Sequence, residues 1–235
     1  MIKKLFTFVS LFLFVGTARS QIIVALLFGD KLNTGTLEFG LVASPAITNI
    51  TNSASESRSG FNLGLFFNIH PEKKFFIHLE LTAKGALGAE NIAPYSTGND
   101  SLDRLFNEGS VERIIKSFNV TPLGRYAFSK QFFVDGGFQT NLMFKPKDVF
   151  HSTVNDNDLE YSIKIDEQIT RLDFCLAGGL FYKFRPDRRS MGIGIRYVHG
   201  LTDINKLQTG TQANTAWMAT FTIPVGAAPK GTESK

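Results

Sequence analysis

The chain of 235 residues is 43% hydrophobic and 20% charged, and its single cysteine, Cys175, excludes an intramolecular disulfide framework and a cysteine-based zinc cluster. The formal net charge of +4 arises mainly in the first 20 residues, where Lys3, Lys4 and Arg19 meet no acidic residue; 22 basic and 21 acidic residues remain beyond them. So balanced a chain lacks the basic excess that binds nucleic acid, and no nucleic-acid partner is expected.

The first 20 residues have the three parts of a secretory signal peptide. Lys3 and Lys4 form the basic start, residues 5–15 are almost wholly apolar, and Ala18 and Ser20 are the small residues of a cleavage site. A retained signal anchor is the alternative, but the apolar run is far shorter than the ~20 residues that span a bilayer. We expect residues 1–20 to be removed and residues 21–36 to form an N-terminal periplasmic segment.

Beyond the leader, apolar and polar residues alternate in eight runs, a period of two that is typical of β-strands with two different faces. None of these runs approaches the ~18 consecutive apolar residues of a transmembrane helix, so any membrane insertion must use strands. The eight predicted strands cover residues 37–43, 61–69, 75–84, 117–126, 132–145, 171–184, 191–198 and 217–225.

The connections between these strands alternate between short and long. This rhythm is typical of outer-membrane barrels, which have tight periplasmic turns and long extracellular loops. The second long connection contains the signals of a short helix, with Asn99 or Asp100 as its cap and Gly109 at its end. The short connections are residues 70–74, 129–131 and 185–189, and the long ones are residues 44–59, 88–111, 146–166 and 201–213.

The apolar face of the strands could point outward into lipid or inward, as in a soluble barrel or sandwich. The opposite face is rich in glycine, which suits a narrow lumen better than a solvated surface, and aromatic residues recur at the strand ends. We therefore predict an all-β fold, an eight-stranded antiparallel up-and-down transmembrane β-barrel over residues 37–225, with a disordered tail at 226–235. Pro122 has no N–H group for the sheet, so its strand needs a bulge or a local break.

The predicted lumen face carries charges of both signs. Charges buried in so narrow a space must pair, so we expect a network of ion pairs that closes the barrel. The alternative is that some of these charges lie at a water-filled opening of the barrel and are solvated. The acidic members are Glu38, Glu80, Asp135 and Asp173, the basic members are Arg125, Arg171 and Arg196, and Lys84, Lys145 and Lys183 fall nearer the strand ends.

No group of residues has the spacing of a catalytic, cofactor-binding or metal site. His70 and His151 fall in predicted connections, and His78 faces the lumen beside Glu80, where a structural hydrogen bond is the simplest role. His199 continues the lipid-facing register near the outer rim, where a His–Ser pair could act on membrane lipid, although no Ser partner is identifiable. Cys175 is interpreted as a small apolar filler of the lumen.

Four runs along the chain resemble those of the PorT-like outer-membrane β-barrel family. They are LLFGDKL at 26–32, LEFGL at 37–41, KPKDVF at 145–150 and IRYVHGLTDI at 195–204. The resemblance implies an eight-stranded barrel in the outer membrane of Gram-negative bacteria, and it assigns no catalytic residue. The family's namesake is tied to protein secretion across the outer membrane and to gliding motility, but most members have no established biochemical role, so the resemblance does not transfer that link to this chain.

The leading hypothesis from the sequence is a non-enzymatic outer-membrane barrel, without cofactor, that acts through its loops or as a component of an assembly or secretion machine. Its partners would be outer-membrane lipid and other envelope proteins, in an oligomeric state that the sequence leaves open. The alternatives are an enzyme that modifies outer-membrane lipid and, less favoured, a small-solute pore.

Overall fold

The computed structural model describes residues 36–154, 156–187, 189–206 and 210–225, so the predicted leader, residues 21–35 and the predicted tail lie outside it. The described chain forms nine β-strands and one short helix. The elements are β1 (Leu37–Ile50), β2 (Glu56–Ile69), β3 (Phe75–Ile92), α1 (Asp100–Phe106), β4 (Ser110–Ala127), β5 (Phe132–Val154), β6 (Asn157–Lys164), β7 (Leu172–Lys183), β8 (Gly192–Gly200) and β9 (Asn214–Pro224).

Eight of the strands form a closed antiparallel ring. Strands β1 to β5 pair in sequence, β5 then pairs with β7, and β9 returns to pair with β1. The predicted eight-stranded barrel is thus confirmed, and closure leaves the ring without an exposed strand edge. The short connections lie at one end of the ring, the turn end, and the long ones at the other, the loop end.

The ninth strand, β6, lies outside the ring. It pairs only with the upper part of β5, from Lys147↔Lys164 to Val154↔Asn157, whereas β7 pairs with the lower part of β5. The sequence analysis placed this segment in a long loop, and that assignment is wrong. Polar and charged side chains dominate NDLEYSIK, so the segment lacks the apolar alternation that identified the other strands.

Several strands continue well past the length that crosses a membrane. Strands β3 and β4 have 18 residues each and β5 has 23, against the ~9–11 residues of a membrane-spanning strand. The predicted first long loop is likewise mostly strand, because β1 ends at Ile50 and β2 begins at Glu56. The loop end is therefore a raised wall of β-structure rather than a set of irregular loops.

Helix α1 is capped as predicted, because the Asn99 side chain accepts hydrogen bonds from the backbone N–H groups of Ser101 and Leu102. It ends at Phe106 rather than Gly109, whose N–H donates to the Phe106 carbonyl over 3.0 Å. In the part of the chain that the structure describes, no helix is long and apolar enough to cross a membrane.

The outer face of the ring is apolar, as predicted. Phe138 and Leu180 are each 61% exposed, and Ile195 is 55% exposed, although all three lie within paired strands. Such exposure of large apolar side chains would be costly in water and is the expected surface toward lipid. The further large side chains of this face include Ile77, Leu142, Phe174, Leu176, Trp217 and Phe221.

Proline is accommodated by gaps in the hydrogen-bonded ladder. The pairing of β4 with β5 skips Thr121 and Pro122 and resumes at Leu123↔Gly137 without a change of register, while Leu79↔Pro122 keeps β3 and β4 paired. Pro45 in β1 shows the same feature, because the pairing with β9 passes from Ala43↔Phe221 to Ala46↔Met218. The predicted local break at Pro122 is thus confirmed, and it needs no bulge.

Three basic residues that were assigned to the lumen lie outside it. Irregularities in the pairing of β3 fall on either side of Lys84, which turns outward so that its Nζ atom lies 5.8 Å from the Phe61 ring centre. Lys145 has a φ of +49° where the β4–β5 register shifts, and it is exposed. Arg171 precedes the first residue of β7 and is also exposed. Strict alternation could not foresee these irregularities.

Candidate functional site

The turn-side half of the lumen contains a network of buried ion pairs. Arg125 binds Asp135 through two hydrogen bonds of 2.6 Å, and Arg196 binds Glu80 through two bonds of 2.6 and 2.8 Å. The two pairs meet where an Arg196 nitrogen lies 3.9 Å from an Asp135 oxygen. All four side chains are at most 4% exposed, so these are desolvated, charge-assisted bonds.

The network extends toward β1 through His78. Its Nε2 atom lies 2.8 Å from Glu80 and its Nδ1 atom lies 2.5 Å from the Asn68 side-chain oxygen. Asn68 in turn donates to Glu38 over 2.7 Å, and Lys183 lies 3.5 Å from the same carboxylate oxygen. Three acidic and three basic side chains therefore share this layer, and His78 has the structural hydrogen-bonding role that the sequence predicted.

An aromatic cluster lies beside the network at the turn end. Phe76, Phe133 and Phe181 pack together and are 3–7% exposed. The Arg125 guanidinium lies 4.1 Å from the centre of the Phe181 ring, close enough for a cation–π contact. The lumen is therefore filled with side chains at this end.

Toward the loop end, the network is followed by an apolar layer. Going from the turn end along β7, the inward side chains after Phe181 are Ala177, Cys175 and Asp173. Cys175 is 1% exposed and packs among small and apolar residues, in agreement with its interpretation as a filler. The layer consists of Ala46, Leu123, Cys175, Ala177, Val198, Ala216 and Met218.

A second polar layer surrounds Asp173, which is fully buried. The Oδ2 atom of Asp173 accepts hydrogen bonds from the amides of Asn141, at 3.0 Å, and Asn214, at 2.8 Å, and it lies 3.5 Å from the Cys175 sulfur. From the sequence, Asp173 was expected to join the cross-lumen network of paired charges, and this expectation is wrong. Within the described residues Asp173 forms no ion pair, because the turn-side network engages Arg125 and Arg196 and because Arg171 is exposed.

An apolar plug closes the lumen above Asp173. It is formed by eight buried residues, of which Ile165, Ile169 and Ile204 come from connections between strands. The sequence analysis missed this plug, because isolated isoleucines in a polar segment carry no periodic signal. The remaining members are Ile50, Leu87, Ala89, Ile115 and Met143.

A polar cluster holds the base of the loop-end wall together. Arg113 binds Asp148 through two hydrogen bonds of 2.9 and 2.7 Å, and the Tyr95 hydroxyl donates to the same carboxylate over 2.8 Å. Burial, and then the negative charge of Asp148, raise the pKa of Tyr95 far above its ordinary value. A second pair, Arg58 and Glu112, meets at 2.6 Å nearby.

A groove of about 610 Å³ lies in this wall, between the end of α1 and the tips of β5 and β6. His151 lies in it, but within β5 rather than in a loop as predicted, and it pairs across the sheet with Ser110 and Glu160. We call this the wall groove. Its lining mixes charges and hydroxyls and includes Arg104, Leu105, Glu108, Ser152, Thr153 and Asp158.

The other histidines show no catalytic arrangement in the described chain. His70 is a turn residue, as predicted, and bonds Glu72 at 2.9 Å. His199 is exposed on the outer face, with Leu176 and Thr215 as its cross-strand neighbours and the Tyr197 hydroxyl 3.4 Å from its Nδ1 atom. No group of three or more His, Cys, Asp or Glu side chains could hold a metal ion among the residues described.

A closed ring of eight strands with an apolar outer belt and a filled lumen defines an outer-membrane β-barrel protein. The comparison with protein families agrees: residues 28–206 match the family described as "Outer membrane protein beta-barrel domain", and the chain belongs to it. The predicted location, the outer membrane of the cell, is thereby confirmed. None of the curated proteins matches the chain significantly.

Solved structures of small barrels are similar to this chain at low identity. Ail, the attachment invasion locus protein of Yersinia pestis, solved with a heparin analogue, has 10% identity and a TM-score of 0.44, over 80% of this chain and 97% of Ail. Neisserial surface protein A has 8% identity and a TM-score of 0.40, over 80% of this chain and 96% of that protein. The outer membrane enzyme PagL has 13% identity and a TM-score of 0.37, over 78% and 99%. Likenesses this weak say nothing about the activity of the chain.

Proposed function

We propose that this barrel is a non-enzymatic surface protein that binds another envelope protein through the wall at its loop end. The observation that carries the proposal is the distribution of structure along the barrel axis. The interior is filled with paired charges and apolar side chains, whereas the loop end presents an ordered sheet, helix α1 and the wall groove. Recognition is the function that this distribution supports best.

The composition of the wall groove supports a protein partner. Its lining combines Arg104 and Asp158 with hydroxyls, next to the exposed apolar side chains of Leu105, which is 41% exposed, and Tyr161, which is 38% exposed. Polar rims around a few apolar and aromatic anchors are typical of transient protein interfaces.

Site-specific photo-crosslinking in living cells tests the proposal. A photoreactive residue at Leu105 should give a discrete protein adduct. The matched controls are Ala54, in the turn between β1 and β2, and Leu180, on the lipid face. Adducts of equal yield at all three positions, or none at Leu105, would contradict the proposal.

The proposal requires the loop end to face the outside of the cell. A tag inserted at Thr97–Gly98 should therefore be reached by antibody on intact cells, and one inserted at Pro186–Asp187 only after lysis. The opposite pattern would place the wall groove in the periplasm and would overturn the proposed surface role.

The non-enzymatic part of the proposal has its own test at His199. Mass spectra of outer-membrane lipid should be identical for cells with the wild-type protein and with the His199→Ala variant. A change in acylation would show instead that the barrel modifies lipid.

A further inference from the structure

The polar layer around Asp173 contains several oxygen atoms that have no hydrogen-bond partner in the described chain. Four buried side-chain oxygens there have no hydrogen-bond partner: Asp173 Oδ1, Asn214 Oδ1, Asn119 Oδ1 and Ser117 Oγ. Their residues are at most 3% exposed. A buried polar atom left without a partner is destabilising, and a lone buried charge is more so. So many unpartnered acceptors in one place are therefore unusual.

Three of the four oxygens belong to one level of the lumen. Asn119 lies directly across from Asn141 in the β4–β5 pairing, and Asn141 lies across from Asp173 in the β5–β7 pairing. Asn214 reaches the same level from β9, because its amide donates to Asp173. Ser117 precedes Asn119 by one inward position on β4 and lies across from Met143, at the start of the plug.

The orientation of the Asn214 amide is fixed by its contacts. Its nitrogen donates to Asp173 Oδ2 over 2.8 Å and lies 3.6 Å from the Met143 sulfur, so its oxygen must point away from both. The reverse orientation would place a carbonyl oxygen against a carboxylate. The lack of a partner for the Asn214 oxygen is therefore a property of the packing.

The charge of this layer is unbalanced. The turn-side network matches three acidic with three basic side chains, whereas Asp173 receives hydrogen bonds only from neutral groups of the described chain. The apolar layer below and the isoleucine-rich plug above separate Asp173 from both ends of the barrel. The carboxyl group of Asp173 thus lies in a sealed compartment among neutral oxygen atoms.

We propose that this layer is a binding site for a hard monovalent cation, with sodium as the best match. Carboxylate, amide and hydroxyl oxygens are the ligands that hard cations prefer. The single negative charge of Asp173 balances one positive charge, whereas a divalent ion would leave an excess. The bound cation satisfies the unpartnered oxygens and joins β4, β7 and β9 across the lumen. This inference is independent of the proposed surface function.

Thermal unfolding of the full protein in detergent tests the site. The unfolding temperature is measured while sodium replaces N-methyl-D-glucamine, a cation too large for the layer, at constant ionic strength. The unfolding temperature of the wild type should rise by about 3–5 °C for each tenfold increase in sodium above the dissociation constant. The Asp173→Asn variant should show no rise, and Asp166→Asn, which removes an exposed charge, should behave as the wild type.

An unfolding temperature of the wild type that is the same in both cations would overturn the proposal and would mean that Asp173 is protonated or hydrated. A second variant makes the test independent of the folding of Asp173→Asn. Asn119→Asp adds a second carboxylate to the layer and should make the unfolding temperature respond to calcium, to which the wild type is indifferent. A calcium response of the wild type equal to that of Asn119→Asp would contradict the assignment.

Discussion

At the scale of single residues, the main feature of the turn-side lumen is that its buried charges are paired. Arg125 and Asp135 are direct cross-strand neighbours, so their pairing follows from the β4–β5 register. Arg196 and Glu80 are 116 residues apart and meet across the lumen. Alternation along the strands predicted that all four side chains point inward, but the partner of each depends on how the strands are staggered around the ring, which no local pattern encodes.

Breaking one buried pair should be far more costly than removing a surface charge. Arg125→Met leaves Asp135 buried with only the 3.9 Å contact to Arg196, so we expect a loss of about 3–5 kcal/mol in the free energy of unfolding. Equilibrium unfolding in urea from lipid vesicles measures the loss. The exposed Arg104→Met should change the same quantity by no more than about 0.5 kcal/mol. A similar cost for both variants would mean that the network contributes no stability.

The outward position of Phe138 gives a second prediction at this scale. Arginine in place of a mid-height lipid-facing residue costs about 2–4 kcal/mol, and the cost falls to about 0–1 kcal/mol near the membrane surface. Phe138→Arg should therefore be destabilised by the larger amount and Phe128→Arg, in a turn at the rim, by the smaller. The same urea unfolding decides the matter, and equal stability of Phe138→Arg and the wild type would place the apolar face outside lipid. Leu79→Arg should be destabilised by the same larger amount as Phe138→Arg.

At the scale of elements, the sequence located the strands but not their full length. The start of β3 at Phe75 and of β5 at Phe132 agree with the prediction, because these turn-side ends lie where apolar alternation begins. The predicted strands stop short of the observed loop-side ends. Strand β1, for example, was predicted to end at residue 43 and ends at Ile50. Above the membrane, a strand no longer needs an apolar outer face, so the signal of alternation disappears while the hydrogen-bonded pairing continues. Strand β6 was missed for the same reason.

The hydrogen bond from Tyr95 to Asp148, which joins the α1 connection to β5, depends on pH. Because burial and Asp148 raise the pKa of Tyr95, partly offset by Arg113, its neutral form is favoured in the folded state. The resulting stability is complete below the ordinary tyrosine pKa of 10.0 and is lost as the pH rises through the raised value. Tyr95→Phe should therefore be less stable than the wild type at pH 8, and the difference should shrink at strongly alkaline pH.

Tyrosinate absorbance provides the measurement for Tyr95. The wild type has five tyrosines, and one of them should stay neutral after the most exposed ones have ionised. That late step should be absent in Tyr95→Phe and should move to lower pH in Asp148→Asn. Identical titration curves for the wild type and both variants would show that Tyr95 is not held by Asp148.

At the scale of the whole molecule, the layers of the lumen decide whether anything can pass through the barrel. An eight-stranded ring encloses just enough space for its own side chains. From the turn end, the described interior holds the aromatic cluster, the ion-pair network, the apolar layer, the Asp173 layer and the isoleucine-rich plug. The sequence predicted the charged layer alone, because the plug assembles from residues far apart in the chain.

The whole-molecule prediction is that the purified barrel conducts no steady current in a planar lipid bilayer. An ion would have to displace the bonds of Arg125 and Arg196 to their carboxylates and then pass two layers of buried apolar side chains. The informative control opens one layer only. Ile115→Ala with Ile169→Ala thins the plug but leaves the network intact, so this double variant should stay silent as well. Reproducible single-channel steps from the wild type would mean that the layers separate within the membrane, and the barrel would then have to be regarded as a small-solute pore.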